Sequence, residues 1–201
     1  MSIRNIIPYL YWRMTSSLKS RIATVIGNVM LFWWNVKLHG IVTFHGVPII
    51  VKHYTGKIEI GKDCTFRNSQ RSNTAGVNRK CSLNVSAGAE IIIGDNCGLS
   101  GAVISADKKI IVGNRVMMGV NCTVLDSDRH CPDPEKRFSG DCGVKADVVI
   151  GDDVWLCMNV AVLKGVTIGN GTVVCANSTV TRSLPPGVLA GGAPAKVIRE
   201  L

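Results

Sequence analysis

One polar segment of the chain carries a histidine that alternates with two aspartates: Asp126, Asp128 and His130. In an extended backbone, alternate side chains lie on the same face. A carboxylate beside an imidazole can fix its tautomer and leave the other ring nitrogen free to accept a proton. The spacing therefore predicts a catalytic group in which His130 is the general base and the two aspartates orient it.

Other chemistry remains open for this segment. A histidine in a polar loop can simply be solvated. A nucleophilic mechanism through Ser127 is disfavoured because no nucleophile-elbow motif surrounds it. A divalent metal is also disfavoured, and none is expected, because the potential ligands mix hard and soft atoms without a recognisable geometry. Those ligands are Asp126, Asp128, His130, Cys131 and Asp133.

The elements that position this segment follow a six-residue repeat. An aliphatic residue returns at every sixth position over Ile150, Leu156, Val162, Ile168, Val174 and Val180. Polar or glycine-rich corners separate these positions, and neither a helix nor a single flat strand explains that pattern. Short strands joined by tight corners, three to a circuit, explain it. Hexapeptide repeats of this kind are typical of a parallel β-helix.

The same register recurs upstream, at Ile60-Gly61, Ile93-Gly94 and Val112-Gly113. We therefore predict an all-β fold with a β-helix over residues 41–183, an N-terminal helical extension over 1–40 and a C-terminal tail over 184–201. The repeat stops after Val124 and resumes at Val148, which predicts an inserted loop at about 126–147. Long loops on a regular scaffold often carry function, and this one holds His130.

Residues 3–37 show helical periodicity, with apolar side chains at steps of three and four. The uncharged run from Ile22 to Val36 is too short and too polar to predict a membrane span, and no small-residue cleavage site indicates a signal peptide. Residues 1–58 contain seven Lys and Arg and no Asp or Glu. Two interpretations stay open: a helix packed on the β-helix or on a neighbouring subunit, or peripheral association of residues 1–38 with an anionic membrane.

The formal net charge is +9 and the chain has eight cysteines. A nucleic acid partner is not expected because no aromatic-plus-basic recognition motif is present. The cysteines form no CxxC pair or zinc-finger spacing. Cys157 and Cys175 lie one 18-residue circuit apart, a spacing that permits a disulfide, but we expect thiols in a cytoplasmic protein.

Four segments resemble the left-handed β-helix, or hexapeptide-repeat, acyltransferases. They are DSDRHCPD at 126–133, IGDDVWLCMNVAVLKGVTIG at 150–169, ANSTVTRSLPPGV at 176–188 and GGAPAKVIREL at 191–201. The resemblance is strongest to sugar O-acetyltransferases of the maltose, galactoside and nodulation-factor type, and among them to those of colanic acid and capsular polysaccharide biosynthesis. It implies a left-handed helix, acetyl-CoA as the donor, and a homotrimer with sites at the clefts between subunits.

The resemblance also implies roles for individual residues. His130 matches the base that deprotonates an acceptor hydroxyl, and Asp128 and Asp126 match the acidic positions before it. Ser100 stands where simple sugar transferases carry an acceptor-binding Asn, so a different acceptor is expected, and Arg137 is a second acceptor-binding candidate. The donor-side matches are Trp155 beside the acyl-CoA groove, the Met158 N–H near the thioester carbonyl, Ala176 at the pantetheine arm, and Thr181, Arg182, Lys196 and Arg199 near coenzyme A and its phosphates.

The sequence thus predicts an acetyl-CoA-dependent O-acetyltransferase that modifies a sugar hydroxyl in surface polysaccharide biosynthesis. No nucleophile is apparent, so we expect direct transfer without an acyl-enzyme. An N-acyltransferase acting on an amino sugar fits almost as well. A zinc enzyme of the γ-carbonic-anhydrase type needs closely spaced histidines, which His39, His45, His53 and His130 do not provide. A non-catalytic scaffold would not need the coenzyme-side motifs.

Overall fold

The computed structural model describes residues 3–138 and 143–201. One long helix, α1 (Ile3–Trp33), is followed by short strands. In chain order the strands are β1 (Lys37–Leu38), β2 (Thr43–His45), β3 (Ile49–Lys52), β4 (Lys57–Ile60), β5 (Thr65–Arg67), β6 (Ser82–Val85), β7 (Glu90–Ile93), β8 (Gly98–Ser100), β9 (Val103–Ala106), β10 (Lys109–Val112), β11 (Met117–Val120), β12 (Thr123–Leu125), β13 (Val148–Ile150), β14 (Trp155–Leu156), β15 (Ala161–Val162), β16 (Thr167–Ile168), β17 (Val173–Val174), β18 (Thr179–Val180), β19 (Val188–Gly192) and β20 (Ala195–Glu200).

The strands form three sheets, and each coil of the chain adds one strand to each sheet. Sheet A has the order β1-β4-β7-β10-β13-β16, sheet B has the order β2-β5-β8-β11-β14-β17-β19-β20, and sheet C has the order β3-β6-β9-β12-β15-β18. Ile150 pairs in parallel with Val112 on one side and Ile168 on the other. The chain is therefore a left-handed parallel β-helix, which confirms the fold predicted from the six-residue repeat.

We number the coils 1 to 6 by their sheet A strands, β1, β4, β7, β10, β13 and β16. The turns between sheets are the AB, BC and CA corners. On coil 5 these corners are residues 151–153, 157–159 and 163–165. Asn159 and Asn177 have φ angles of +57° and +60° at successive BC corners, a conformation that Asn tolerates better than most residues. The six aliphatic positions of the repeat are completely buried between the sheets.

Both ends of the β-helix extend beyond the predicted boundaries. It begins at Lys37, inside the segment predicted as a helical extension, because β1 pairs with β4. Residues 184–201, predicted as a tail, contain two strands. Strand β19 pairs with β17, and the chain then turns back so that β20 forms an antiparallel hairpin with β19. The hairpin places the C-terminal residues at the end of sheet B.

Helix α1 packs on the first strand of sheet B through its small and polar face. Thr24 Oγ1 accepts a hydrogen bond from the Phe44 N–H at 3.0 Å, and Ser20 donates to the Phe44 carbonyl at 3.1 Å. Asn28 donates to the Val42 carbonyl at 2.7 Å and accepts from its N–H at 3.2 Å. These bonds satisfy part of the open edge of β2, which would otherwise present unpaired backbone groups.

The apolar face of α1 consequently points away from the β-helix. It includes Leu10, Met14, Leu18, Ile22, Val25, Val29, Phe32 and Trp33, all exposed. The periodicity predicted the helix, and the helix packs on the β-helix, which was one of the two interpretations. It does so through its polar face and not its apolar stripe, because the edge strand needs hydrogen-bonding side chains. In the described part of the chain, no helix is long and apolar enough to cross a membrane.

Candidate active site

The segment that carries His130 leaves sheet C at the CA corner of coil 4. Ser127 forms an antiparallel bridge with Lys145, and the Asp128 N–H donates to the Val144 carbonyl at 3.2 Å. Arg129 has a φ angle of +60°, so the segment is not extended. The common face predicted for Asp126, Asp128 and His130 is therefore wrong: Asp126 is buried, whereas Asp128 and His130 are exposed.

The Asp126 carboxylate fixes the point at which the loop leaves the β-helix. One oxygen accepts from the Asp107 N–H at 2.7 Å and the other from the Lys108 N–H at 2.8 Å. Its own carbonyl accepts from the Ala146 N–H at 2.9 Å, where the chain returns from the loop. Both oxygens are thus used in binding the preceding turn, and Asp126 does not orient His130.

Asp128 pairs with a lysine from the next coil. Lys164 Nζ, at the CA corner of coil 5, lies 2.6 Å from Asp128 Oδ1. The His130 side chain is exposed and makes no hydrogen bond to another residue in the described ranges 3–138 and 143–201. The imidazole is therefore accessible to a substrate, while Asp128 is held at the side of the loop by Lys164.

A polar cluster that sequence reasoning missed lies beside this segment. The Asp107 carboxylate accepts hydrogen bonds from the Ser86 and Ser127 hydroxyls, and Arg129 bonds the Ser105 hydroxyl. Burial acts to raise the pKa of Asp107, but the two hydroxyl bonds and the charge of Arg129 lower it below its ordinary value. The cluster draws on three coils, so the only sequence signal was polar residues recurring just after sheet C strands.

Two backbone N–H groups, those of Met158 and Ala176, occupy equivalent positions at the BC corners of coils 5 and 6. The Asn159 N–H donates to the Val120 carbonyl at 2.7 Å, and the Asn177 N–H donates to the Met158 carbonyl at 2.9 Å. The N–H groups of Met158 and Ala176 have no hydrogen-bond acceptor among the described residues. Rigid backbone donors of this kind can stabilise negative charge that develops on a carbonyl oxygen.

The surface next to these donors is apolar. Trp155 is 47% exposed on the outer face of sheet B. It is in register with Met117 on one side and Val173 on the other, and Val173 is in register with Leu189. A Cβ at Gly119 would lie 2.9 Å from the Met158 nitrogen, so glycine keeps that amide unobstructed. The arrangement can hold a thin apolar ligand against a hydrogen-bonding corner.

The residues predicted to lie near coenzyme A and its phosphates are found in two separate places. Thr181 and Arg182 are exposed at the CA corner of coil 6. Lys196 and Arg199 are exposed on the β19–β20 hairpin of sheet B, opposite Gly191 and Leu189. These cations do not form one cluster within a chain.

The two residues predicted to bind the acceptor, Ser100 and Arg137, also lie in different parts of the structure. Ser100 is buried on the BC side of coil 3, where its hydroxyl accepts a hydrogen bond from Asn73 Nδ2 at 3.2 Å. Arg137 is exposed on the loop that carries His130 and donates to the Pro132 carbonyl at 2.9 Å. Of the two, only Arg137 shares an element with the predicted base.

The predicted base and the backbone donors lie on different corners of the β-helix. His130 and Asp128 lie at the CA corner of coil 4, and Lys164 lies at the CA corner of coil 5. Met158 and Ala176 are at the BC corner. Strand β15 (Ala161–Val162) runs between Met158 and Lys164, so the two corners lie at opposite ends of the sheet C strands. One chain does not bring the base and the donors together.

The remaining histidines and cysteines are dispersed. His39 Nε2 lies 2.6 Å from Glu59, and His53 Nδ1 lies 2.8 Å from the Thr55 hydroxyl. No group of three or more His, Cys, Asp or Glu placed to hold a metal is found among the described residues. Cys157 and Cys175 are free thiols, and burial together with the neighbouring Cys175 raises the pKa of Cys157. Cys142 lies outside the described residues.

Comparison with known proteins identifies relatives of this architecture. Residues 147–182 match the family described as bacterial transferase hexapeptide (six repeats). Galactoside O-acetyltransferase of Lactococcus lactis is 34% identical over 143 residues, which are 71% of this chain and 63% of that protein. WcaF of Escherichia coli, an acetyltransferase assigned to colanic acid biosynthesis, is 36% identical over 100 residues, 49% of this chain and 55% of that protein.

A crystal structure of a hexapeptide-repeat acetyltransferase from Vibrio cholerae matches with a TM-score of 0.52 and 36% identity, over 55% of this chain and 62% of that one. The chain spans 54% to 63% of the length of the first curated relatives it matches. The parallel β-helix and its repeats define a hexapeptide-repeat protein. The chain is thus similar to hexapeptide-repeat acetyltransferases, the proteins that the four sequence segments resemble.

Proposed function

We propose that the protein is an acetyl-CoA-dependent O-acetyltransferase that uses His130 as a general base toward a sugar hydroxyl. The observation that carries the proposal is the state of His130. Its imidazole is exposed, makes no hydrogen bond to the described residues, and lies on a loop whose start is fixed by the buried Asp126 carboxylate. A base must be free to bond the proton that it removes. The similarity to named acetyltransferases supports acetyl-CoA as the donor.

In the proposed reaction, His130 accepts the proton of the acceptor hydroxyl as its oxygen attacks the thioester carbonyl carbon. The Met158 N–H donates to the oxyanion of the tetrahedral intermediate. Collapse of the intermediate forms the ester and breaks the carbon–sulfur bond, and the leaving thiolate takes the proton from the imidazolium. Transfer is direct, without an acyl-enzyme.

The proposed active unit is a homotrimer in which each site combines two chains. Supporting this is the separation of His130 from Met158 and Ala176 onto different corners, which a neighbouring copy related by threefold symmetry can close. On this arrangement Thr181 and Arg182 approach the coenzyme from the subunit that supplies the base. Lys196 and Arg199 approach it from the subunit that supplies the backbone donors.

The proposed acceptor is a sugar of a surface polysaccharide or its precursor. The relationship to a protein assigned to colanic acid biosynthesis supports this class. Arg137, exposed on the His130 loop, is the proposed acceptor-binding cation, whereas Ser100 acts on the acceptor only through the position of Asn73.

An acetyl-transfer assay with paired acceptors tests the proposal. The full chain is incubated with labelled acetyl-CoA and with hydroxyl sugars or their amino-sugar counterparts, and the products are separated by their sensitivity to hydroxylamine. We expect hydroxylamine-sensitive esters. Transfer only to amines would assign an N-acyltransferase instead, and absence of transfer to every acceptor, with coenzyme A bound, would contradict the proposed function.

We also propose that α1 lies on an anionic membrane surface through its apolar face. Phe32 is 78% exposed and Trp33 is 80% exposed, and both belong to the face that the β-helix leaves uncovered. Aromatic residues with basic flanks suit the membrane interface, where apolar burial and attraction to anionic lipid add. The proposed location is the cytoplasmic face of the membrane.

Vesicle flotation tests this placement. The full chain should float with anionic vesicles at low salt and be released at high salt, because salt screens surface attraction. Phe32→Ser and Trp33→Ser should each weaken partitioning by about tenfold, since each removes a large apolar side chain from the interface. Tyr54→Ser, which changes an aromatic residue that is 86% exposed on the β-helix, should have no effect. Equal flotation of all variants would exclude α1 as the contact.

A further inference from the structure

A groove of about 530 Å³ lies between α1 and residues 68–80, away from His130. Lys19 and Ser16 line it from the helix, and Arg71, Arg79 and Lys80 line it from the loop. Its volume falls within the range of small-molecule sites. The function proposed above does not use this groove.

Among the residues that the structure describes, none neutralises the positive charge in the groove. Lys19, Arg71 and Lys80 are exposed and make no ion pair or hydrogen bond with other residues in the described part of the chain. The described residues that line the groove include no carboxylate. The sequence explains this, because neither residues 1–58 nor residues 64–89 contain an Asp or Glu.

Uncharged polar groups complete the lining. His45 is half-buried there, and burial, followed by the charge of Arg67, lowers the pKa of its imidazole. A neutral imidazole can still donate one hydrogen bond. The Ser16 hydroxyl is shielded from solvent and has no hydrogen-bond partner in the described residues. Three unpaired cations with further donors suit an anion that carries several charges and many acceptor oxygens.

The groove is connected to the BC corner that carries the backbone donors. Arg79 donates to the carbonyls of Asn121 and Cys122 and to the Thr123 hydroxyl on coil 4. Its guanidinium therefore fixes residues 68–80 along that corner. From coil 2, where the loop begins, to Met158 on coil 5 are three coil spacings, or about 14 Å. A ligand held in the groove can extend along the corner toward Met158.

We propose that this groove binds the diphosphate group of a glycosyl diphosphate, so that the sugar reaches along the BC corner to the site of acetyl transfer. That the diphosphate carries a sugar acceptor rests on the proposed function. The diphosphate itself rests on the unpaired cations and the absence of acidic residues. Its other substituent is either a nucleoside or a polyprenyl chain, two sources with the same diphosphate chemistry.

Calorimetric titration of the full chain with inorganic pyrophosphate, in the presence of saturating coenzyme A, tests the groove directly. We expect one pyrophosphate per chain. Lys19→Gln and Arg71→Gln should each weaken the affinity by about tenfold, because each removes a charged hydrogen-bond donor. Arg21→Gln is the matched control: it removes a charge from the same helix, but outside the groove, and should leave the affinity unchanged.

Competition separates the two sources. Displacement of pyrophosphate by uridine diphosphate at lower concentration than by farnesyl diphosphate supports a nucleotide-linked acceptor, and the reverse order supports a polyprenyl-linked acceptor. Absence of pyrophosphate binding, or equal binding by the wild type and both groove variants, would overturn the proposal. Binding abolished by coenzyme A would place the ion in the donor site and overturn it too. Intact pyrophosphate binding without any acetyl transfer would refute the proposed function while leaving the diphosphate site standing.

Discussion

Replacing His130 with alanine is expected to lower the turnover of acetyl transfer by about two orders of magnitude or more, because it removes the group that accepts the hydroxyl proton. The fold should be unaffected. The side chain is exposed and makes no hydrogen bond to the described residues, and changes at such positions usually alter the free energy of unfolding by no more than about 0.5 kcal/mol. Turnover, the thermal midpoint and acetyl-CoA affinity together check this result.

Two neighbouring substitutions serve as controls for His130→Ala. Asp128→Asn should reduce turnover less, because Asp128 pairs with Lys164 and does not carry the proton. Asp126→Ala should lower the free energy of unfolding by about 1–3 kcal/mol, since it removes the buried carboxylate that accepts hydrogen bonds from the Asp107 and Lys108 N–H groups. Of these three substitutions, only those at the exposed residues His130 and Asp128 should therefore lower the rate without lowering stability. Wild-type turnover in His130→Ala, with a verified acceptor, would remove His130 from the mechanism.

Replacing Met158 with proline is expected to lower kcat by about 10²–10³-fold, the usual effect of deleting one oxyanion donor. The substitution removes a single N–H that has no acceptor among the described residues, so no protein hydrogen bond is lost. Proline is also compatible with the backbone, because Met158 precedes the left-handed Asn159 in a tight turn. The effect should therefore appear in kcat and leave the thermal midpoint near that of the wild type.

Met158→Ala is the matched control for the proline variant. It removes the side chain but keeps the N–H, and should retain near wild-type turnover. Equal loss in both variants would assign the effect to the Met158 side chain and not to its N–H. Full turnover in Met158→Pro would exclude this amide as the oxyanion donor.

The sequence was sufficient to predict the β-helix because its repeat reports a local geometry. Ile150 and Ile168 must point inward whenever three short strands close a coil, and both are buried in the structure. The orientation of α1 was not predictable in the same way. Its contact with β2 depends on hydrogen bonds from Thr24 and Asn28 to the edge of a strand, and an apolar periodicity carries no information about such bonds.

In the candidate site, too, the features set by local sequence were predicted and those set by contacts between coils were not. His130 was identified by residue type and spacing, and its loop by the interruption of the repeat. The role of Asp126 was misassigned because its partners, the amides of Asp107 and Lys108, are nearly twenty positions away in sequence and become neighbours only when coils stack. The cluster around Asp107 was missed for the same reason.

The separation of His130 from Met158 onto different corners has a consequence for inheritance. In the proposed trimer every chain serves two sites, lending its base to one and its backbone donors to the next. An allele that lacks the base still encodes intact donors, and an allele that lacks the donors still encodes an intact base. Two such defective alleles expressed in one cell would complement each other inside mixed assemblies, whereas either allele expressed beside the wild type would inactivate only as many sites as it supplies defective chains.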